Sequence, residues 1–545
     1  MKHISVEEML QQEQNAINNG TGVNQLIQNA GQNLAFAIDR RAIAGRRSIV
    51  AMVGKGNNGA DALVALSQLA QIGWKTRALI MVDRHDDWMV QQASAAGVEV
   101  RDAILAGDHL EMAQLLGEPA ILLDALLGTG FQGHVKPELA KRMQLVVHAL
   151  DYLPKRPIVV AVDCPSGVNC STGHADPAVI PANLTICMGA CKAGLLLQPA
   201  FGLVGELASA GIGIDIEDGA AGPLQVVEAA DVMSVLPKRE WNTHKGGAGK
   251  MLICGGSVEY IGAPVLSGLG AYTLGAGLVR MAVPAIVQSS AASKLPEAIW
   301  TIMPTVDGAM SEDGTELLLR ATKGCKAVVI GPGMGPLPAS QKLVKSYFSA
   351  LLAGFEPHNR PIGFGSVAEK MGNRVDEDTD WAVPPMVVDA DGLRNLAMLP
   401  QWWNALPAGC ILTPHPGEMA ALTGASVAEL QTDRLASARK AARAWGCVVL
   451  FKGAQTVVAE PKGHAAIIPI AEPALAKAGT GDVLAGVIGA LLAQGLDSFS
   501  AAWAGAWLHA RAGQFVRARH GNNLSPIASE LTWGLRRVLG LLEQI

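Results

Sequence analysis

No two cysteines of this chain form a C-x-x-C pair, and that absence narrows the chemistry at once. The eight cysteines are scattered along the sequence. Cys187 and Cys191 would share a face on a helix, but no second pair and no histidine set completes a zinc site. Free, mostly buried thiols in a reducing compartment are the expected state. An excess of basic charge is missing too: the formal net charge is -5, which leaves no electrostatic footprint for a nucleic-acid backbone. Anionic small molecules stay in play, because helix N-termini and backbone N–H groups bind them without net positive charge. The longest apolar run near the C-terminus, VLAGVIGALLA, is roughly half of the ~20 residues that span a bilayer. The opening stretch, MKHISVEEMLQQEQN, has no apolar secretory core. The expectation is a cytoplasmic protein with neither membrane nor nucleic acid among its partners.

Aromatic residues are scarce at 4%, whereas glycine occurs 61 times, a balance that fits glycine-turned α/β layers better than an all-β sandwich. With 545 residues, half of them hydrophobic and only 17% charged, the chain is too long for one ordinary core. Two domains are therefore expected, 1–225 and 233–545, with the boundary in the weakly patterned stretch near 216–240.

The first half alternates short apolar runs with amphipathic segments. RRSIVAMVG reads as a buried strand, GKGNNGAD as a glycine turn, ALVALSQLAQIG as a helix ending at Gly73, and WKTRALIMVD as the next strand. AILLDALLGTG and RPIVVAVDCPSG repeat one format: an apolar strand, an aspartate at its end, then a glycine-containing turn. Ahead of them, two helices separated by Gly20 to Gly22 are expected. The second half restarts with GKMLICGGS, KAVVIGPGMG, MVVDADGL, CILTPHPGE and VVLFKGAQTVVAE. No short period recurs, which excludes a solenoid. The irregular stretch from 354 to 385 is long for an internal loop and reads as a surface excursion.

Parallel sheets bind ligands beyond the carboxyl ends of their strands, so the strand-end groups are the candidates. In GKGNNGAD the glycines let backbone N–H groups approach a pyrophosphate, although a plain strand-to-helix connection explains them equally well. Asp124 and Asp163 each end an apolar strand, where burial would raise a carboxyl toward general-base range, or where each could simply cap a turn. With Asn58 they form a set of hard oxygen donors suited to an alkali or alkaline-earth ion. Lys192 could face a phosphate but by itself reads as a surface lysine. In the second half, His415 sits stiffly between two prolines, and KGAQT joins a strand-end lysine to amide and hydroxyl donors, as a nucleotide phosphate requires. AGTGD combines exposed N–H groups at Gly479 and Gly481 with Asp482 at a helix start. A carboxylate acting there as N-cap is worth about 1 kcal/mol, but capping needs no glycines on its approach.

Taken in order, HKGGAGK, GPGMG, DADGL, LTPHPGEM, KGA and GTGDVLAG resemble the NAD(P)H-hydrate dehydratase family. GNNGAD, DALLGTG and DCPSG resemble the NAD(P)H-hydrate epimerase family, and the fusion in this order resembles the bacterial bifunctional NAD(P)H-hydrate repair enzymes. The resemblance implies an α/β chain in which an N-terminal Rossmann-like three-layer domain precedes a ribokinase-like domain. It implies hydrated NADH and NADPH as substrates, with a hydroxyl at C6 of the nicotinamide ring in R and S forms. The first half would interconvert the epimers with a potassium ion held by Asn58, Asp124 and Ser166, Asp124 serving catalysis as well. Its substrate would meet Asn57, Asn58, Gly59, Ala60 and Asp61. It would also meet Gly128, Thr129, Gly130, Phe131, Gln132, Gly133 and His134, together with Asp163.

The second half would dehydrate the S form with magnesium and ADP, or ATP, by phosphorylating the C6 hydroxyl and expelling phosphate. Asp482 would be the base, and Ala263, Gly335 and His415 would complete the substrate pocket. Lys452, Gly453, Ala454, Gln455, Thr456 and Gly481 would hold the nucleotide. A homo-oligomer is expected, as small-residue α/β proteins of this type often assemble.

The chain departs from the family pattern at Ala60, Ala62 and Ala478, where glycines are usual, and Asn395 falls one residue later than the family's asparagine. An added methyl would cost stability or ligand room wherever φ > 0 or close backbone contact is needed. Two other readings stand beside the first: a ribokinase-class small-molecule kinase, and a dehydratase whose first half is a non-catalytic NAD-binding scaffold.

Overall fold

Short runs of β-branched and aliphatic residues, apolar on both sides, can only be satisfied between two layers of helices. In the computed structural model they are. It describes residues 1–40, 46–84, 87–217, 224–239, 241, 244–353 and 382–543. The chain divides into two compact units, Met1–Glu228 and Ala229–Ile545. Residues 354–381 of the expected surface excursion lie outside the described residues.

The first unit holds a seven-stranded sheet. Across it run Glu99–Asp102, Lys75–Ile80, Ser48–Val53, Ile121–Ala125, Ile158–Val162, Leu184–Met188 and Glu206–Ala210, all parallel. Successive side chains of Ser48–Val53 face opposite layers. Ile49, Ala51 and Val53 pack with Leu34 and Ile38 of the helix Val23–Asp39 and with Leu63 and Leu66 of the helix Asn57–Gln71. Val50 and Met52 pack with Met143 and Val146 of the helix Pro137–Leu150. The outcome is three layers. After Ser48–Val53 the chain builds the sheet outward on one side, then returns to add Ile121–Ala125 on the other. The topological switch therefore lies between those two strands, and their C-terminal turns form the crevice.

In the second unit the parallel strands run Ile299–Met303, Leu278–Pro284, Lys250–Cys254, Ala327–Ile330, Met386–Val388, Ile411–Leu412 and Val448–Phe451 across the sheet. Val457–Ala459 and Ala465–Ile467 then extend it antiparallel. The apolar run VLAGVIGALLA belongs to the helix Thr480–Ala493, buried throughout from Val483 onward. No described helix is long and apolar enough to cross a membrane. That helix packs against Gly262–Thr273 at backbone distance: a Cβ on Gly486 would lie 1.9 Å from the Ser267 carbonyl oxygen, and one on Gly270 2.5 Å from that of Val483. All eight cysteines are buried and unpaired, as expected of thiols used for packing.

Backbone contact of this kind leaves no room for a methyl. Gly486→Ala is expected to destabilise the second unit by about 1–3 kcal/mol through overpacking. Gly540→Ala, in the helix Leu531–Leu542 with nothing within 4 Å of its added Cβ, should instead be neutral or stabilising. Thermal unfolding of the two variants checks the contrast.

Candidate active sites

The first unit's crevice opens into a cavity of about 1030 Å³. Its polar wall is built by close backbone approach. A Cβ on Gly54 would strike the Leu126 carbonyl oxygen at 1.9 Å, and one on Gly59 the Gly54 carbonyl oxygen at 2.2 Å. Those two glycines let the helix Asn57–Gln71 start directly over the strand end. Asn57, Asn58 and Asp61 line the cavity from that helix, and Gly128, Thr129, Gly130, Phe131, Gln132 and His134 line it from the facing loop. Asp163 lines it as well. Gly59, Ala60 and Gly133 do not. Ala60 and Ala62 lie inside the helix with their methyls in the core, so neither needs a glycine's conformational range.

Asp124 and Ser166 are fully buried and do not line the cavity. Ser166 donates to Asp124 twice, from Oγ to Oδ1 at 2.6 Å and from its backbone N–H to Oδ2 at 2.8 Å. The peptide of Leu127 ties the group together: its N–H donates to Ser166 Oγ, and its carbonyl accepts from Asn58 Nδ2. A second Asn58 bond goes to the Val162 carbonyl. Burial raises the Asp124 carboxyl above its ordinary range, against the bonds from Ser166 and Leu126 that lower it.

Asp163 differs. Its φ is 65°, and the Cys164 N–H bonds back to the Val162 carbonyl at 2.7 Å, so Asp163 is the centre of a tight three-residue turn. Its Oδ1 accepts from the Met188 N–H at 2.9 Å and from Lys192 Nζ at 2.5 Å. Lys192 is not a surface lysine: it is 1% exposed, and it also donates to the Met188 carbonyl at 2.7 Å. Burial alone would lower its pKa, but Asp163 outweighs that and holds it above the ordinary lysine range. Asp61 and Glu13 share this corner. Burial first, then Asp163 and each other's neighbourhood of negative charge, keep Asp61 well above the usual carboxyl range. Burial likewise raises Glu13, which comes from the helix Val6–Asn18 and which no sequence motif marks.

The second unit's cavity, about 720 Å³, lies over the C-terminal ends of Met386–Val388, Ile411–Leu412 and Val448–Phe451. Asp389, immediately after the first of these, is buried and accepts at Oδ1 from Lys452 Nζ and Thr413 Oγ1, both at 2.7 Å. Glu418 Oε2 lies 3.8 Å from the same ammonium. Burial pushes the Glu418 carboxyl to about 7, and the two carboxylates raise Lys452 against a burial effect that would lower it. A Cβ on Gly481 would come within 3.5 Å of Lys452 Nζ and 3.8 Å of Asp389 Oδ2, so that glycine leaves a cradle beside both charges.

Asp482 lines the same cavity, with its carboxyl raised to about 7 by burial and then by Asp389. It is not the helix N-cap. That position is Gly479 at φ 90°, without a side-chain cap bond, and Asp482 is the third residue of the helix. Ser267 Oγ holds the Asp482 backbone carbonyl at 2.8 Å, and His509 Nε2 donates to the Thr480 carbonyl at 2.8 Å. Burial lowers the His509 pKa to about 4, so the ring is neutral. Ala478, before this turn, is exposed and has no positive φ, so alanine replaces glycine there without strain.

His415, Lys452, Gly453, Ala454, Thr456 and Gly481 all line this cavity, whereas Ala263, Gly335 and Gln455 do not. His415 caps the helix Pro416–Thr423, its Nδ1 accepting from the Gly417 and Glu418 N–H groups. Burial lowers its pKa, as does Lys452. Ala263 opens the helix Gly262–Thr273, and Gly335 lies in the turn after Ala327–Ile330, where it donates to Asp391 Oδ2 and accepts from Asn395 Nδ2. Asn395 thus acts on the Gly335 turn rather than on the loop from Lys452 to Thr456. Among the described residues, no three histidine, cysteine, aspartate or glutamate side chains form a metal-binding group. Sequence reasoning missed Asp389, although it repeats the strand-end format of Asp124 and Asp163. It passed over Glu418 inside a quoted motif, and nothing in the sequence marks His509.

Two family models match this chain: NAD(P)H-hydrate dehydratase over residues 251–353 and 362–532, and YjeF-related protein N-terminus over residues 23–194. The bifunctional NAD(P)H-hydrate repair enzyme of Moorella thermoacetica is 34% identical across 95% of this chain and 93% of its own length. That of Escherichia coli K12 is 31% identical across 95% and 90%. A solved structure, the ADP/ATP-dependent NAD(P)H-hydrate dehydratase from Bacillus subtilis co-crystallized with ATP/Mg2+, aligns with 58% of this chain and 98% of its own at 28% identity and a TM-score of 0.47.

A raised carboxyl has a consequence for stability. The folded state holds the Asp482 proton up to about pH 7, while an unfolded aspartate releases it near 4. Stability from this group is thus fully present below about pH 4 and is lost as pH rises through about 7. Asp482→Asn removes that loss, so its thermal midpoint should exceed that of the parent near pH 8 and match it near pH 4. Equal shifts at both would show that the carboxyl is not desolvated.

Proposed function

The chain belongs to the family of bifunctional NAD(P)H-hydrate repair enzymes, and we propose that its first unit epimerises the R and S hydrates of NADH and NADPH while its second dehydrates the S hydrate at the expense of ADP or ATP. The observation that carries the second assignment is the convergence of Asp482, Lys452 and the Gly481 cradle on one cavity. A carboxyl near 7 can take the C6 hydroxyl proton as that oxygen attacks a phosphoryl group. N–H groups at the helix start, with Lys452 beside them, stabilise charge growing on the transferred phosphoryl. Loss of phosphate, a good leaving group, then restores the ring double bond. Lys452, Gly453, Ala454 and Thr456 are assigned to the nucleotide, with Gln455 shaping the loop from beneath at φ 55°. His415 is assigned to the substrate, with Ala263 at the start of the helix Gly262–Thr273 and Gly335 in the turn after Ala327–Ile330.

Magnesium entering with the nucleotide fits the hard oxygens of Asp389 and Glu418, the phosphates completing its shell. When bound it would neutralise phosphate charge. In the first unit, potassium fits Asn58, Asp124 and Ser166. Asp124 is fully buried and, among the described residues, bonded only by neutral donors, and Asn58 spends its Nδ2 on two carbonyls, leaving Oδ1 as an oxygen donor. When bound, potassium would supply positive charge beneath the substrate loop. Asp124 is therefore assigned to the ion, because it does not reach the cavity. The helical, core-facing setting of Ala60 and Ala62 favours an active first unit over a scaffold.

Hydrated NADH prepared as mixed epimers tests the whole reading. With ADP or ATP, near-UV absorbance should recover fully, and without nucleotide it should not. Recovery that stops at the S fraction would remove the epimerase assignment, and none with either nucleotide would remove the dehydratase. Asp482→Asn should lower nucleotide-dependent turnover by about 100-fold or more without unfolding the chain. Replacing potassium by a large organic cation should slow epimerisation and leave dehydration of isolated S hydrate unaffected.

A further inference from the structure

Lys192 lies beneath the epimerase cavity rather than in its wall, and no family motif quoted above includes it. It occupies an unusual place. The ammonium is fully enclosed and joined to one oxygen of Asp163 at 2.5 Å, with the Met188 carbonyl at 2.7 Å. Met188 closes the circuit by donating its N–H to that same oxygen. Among the described residues nothing bonds the other oxygen, Oδ2, and Asp163 lines the cavity. The backbone at Asp163 sits at φ 65°, a strained conformation that a non-glycine residue keeps only where its surroundings over-determine it. Three constraints impose it here: the Cys164-to-Val162 turn bond, the Asp163 N–H bond to the Ile186 carbonyl, and the lysine.

We propose that Lys192 is a positioning residue for epimerisation, and that it fixes Asp163 so that Oδ2 receives the C6 hydroxyl of the bound hydrate. This rests on the epimerase assignment above and deepens it. Inverting C6 requires its bond to nitrogen or to oxygen to open, and a base on the hydroxyl favours the former. The hydroxyl proton passes to Asp163 Oδ2, C6=O forms, and the C6–N1 bond breaks. Its electron pair moves onto N1 and is shared through C2=C3 with the carboxamide. Rotation about C5–C6 presents the other carbonyl face, N1 re-adds, and the alkoxide takes its proton back from Asp163. No oxidant, reductant or second substrate is consumed. The lysine touches none of the reacting atoms. Its part is to occupy Oδ1, so that one oxygen of known direction remains.

The test is a double-mutant cycle on R-to-S interconversion, read by chromatography of isolated epimers against the spontaneous rate. Lys192→Met should lower kcat by about 100-fold with little change in KM, the size expected for a displaced reacting group. Asp163→Asn should do at least as much. If Lys192 acts through Asp163, adding Lys192→Met to Asp163→Asn lowers the rate no further, and this uncharged pair also avoids stranding a buried carboxylate. Should Lys192→Met alone fail to fold, Lys192→Gln replaces it in the same cycle. A Lys192 variant within threefold of the parent, or a further loss in the Asp163→Asn background, overturns the proposal while leaving the epimerase assignment standing. A parent protein that does not exceed the spontaneous rate overturns both.

Discussion

Each unit sets one lysine ammonium against one aspartate that follows a central parallel strand. In the first unit the pair is Lys192 with Asp163 at 2.5 Å, and in the second it is Lys452 with Asp389 at 2.7 Å. Bringing two charges out of water costs several kcal/mol per ion before their attraction offsets it. Such pairs are therefore poor sources of stability. What they supply is direction: an aspartate at a strand end has one oxygen held and the other left over. Removing either partner would strand the remaining charge, at a cost of about 3–5 kcal/mol, so the arrangement resists piecemeal change.

The two pairs serve different chemistry because they sit at different depths. Lys192 is sealed under its cavity, so among the described residues its ammonium bonds only to Asp163 and the Met188 carbonyl, and its charge is felt by Glu13 and Asp61 as a field that holds their carboxyls down against burial. Lys452 reaches its cavity and faces the bare edge of Gly481, where a phosphoryl group would gather negative charge. Asp389 and Glu418 hold that lysine protonated, and Lys452 in turn moderates the rise in Asp482 and Glu418 that burial produces. A base near 7 and an ammonium can share one cavity because burial raises the carboxyl, and an excess of neighbouring carboxylates over cations adds to that rise while keeping the lysine charged. The first unit repeats that imbalance, with Glu13, Asp61 and Asp163 gathered about one lysine.

Much of this was legible in the sequence wherever a local pattern has one structural solution. Apolar runs ending in aspartate and glycine became strands of parallel sheets, and Gly20 to Gly22 separated two helices. The strand Glu99–Asp102 was not legible, because an edge strand carrying three charged side chains shows no apolar run. Lys192 was misread for a similar reason. A lysine among small residues carries no local mark of burial, and its partner lies 29 residues away. Glu13 reaches the site from another helix altogether, and His509 from a helix far along the chain. Long-range pairing brings such residues together, and no spacing rule records it. For Asp482 the sequence left a cap reading open beside the catalytic one. The glycine turn before it was recognised, but the cap falls on Gly479, and the carboxyl is free for chemistry because it is not spent on capping.

The three alanines that replace family glycines show which glycines the fold needs. A glycine is required where a backbone must touch a backbone, as at Gly54 and Gly59, or where φ turns positive, as at Gly479. Ala60 and Ala62 meet neither condition: their helix runs over the strand end through Gly59, and their methyls fill the apolar layer beneath. Alanine also favours a helix over glycine by about 1 kcal/mol, so the exchange stiffens the segment that carries Asn57, Asn58 and Asp61. Ala478 is exposed just before the turn, where a methyl meets solvent. Departure from a motif is therefore weak evidence of lost function unless the glycine concerned carries a positive φ or a backbone contact. By that criterion every glycine this chemistry requires is still present.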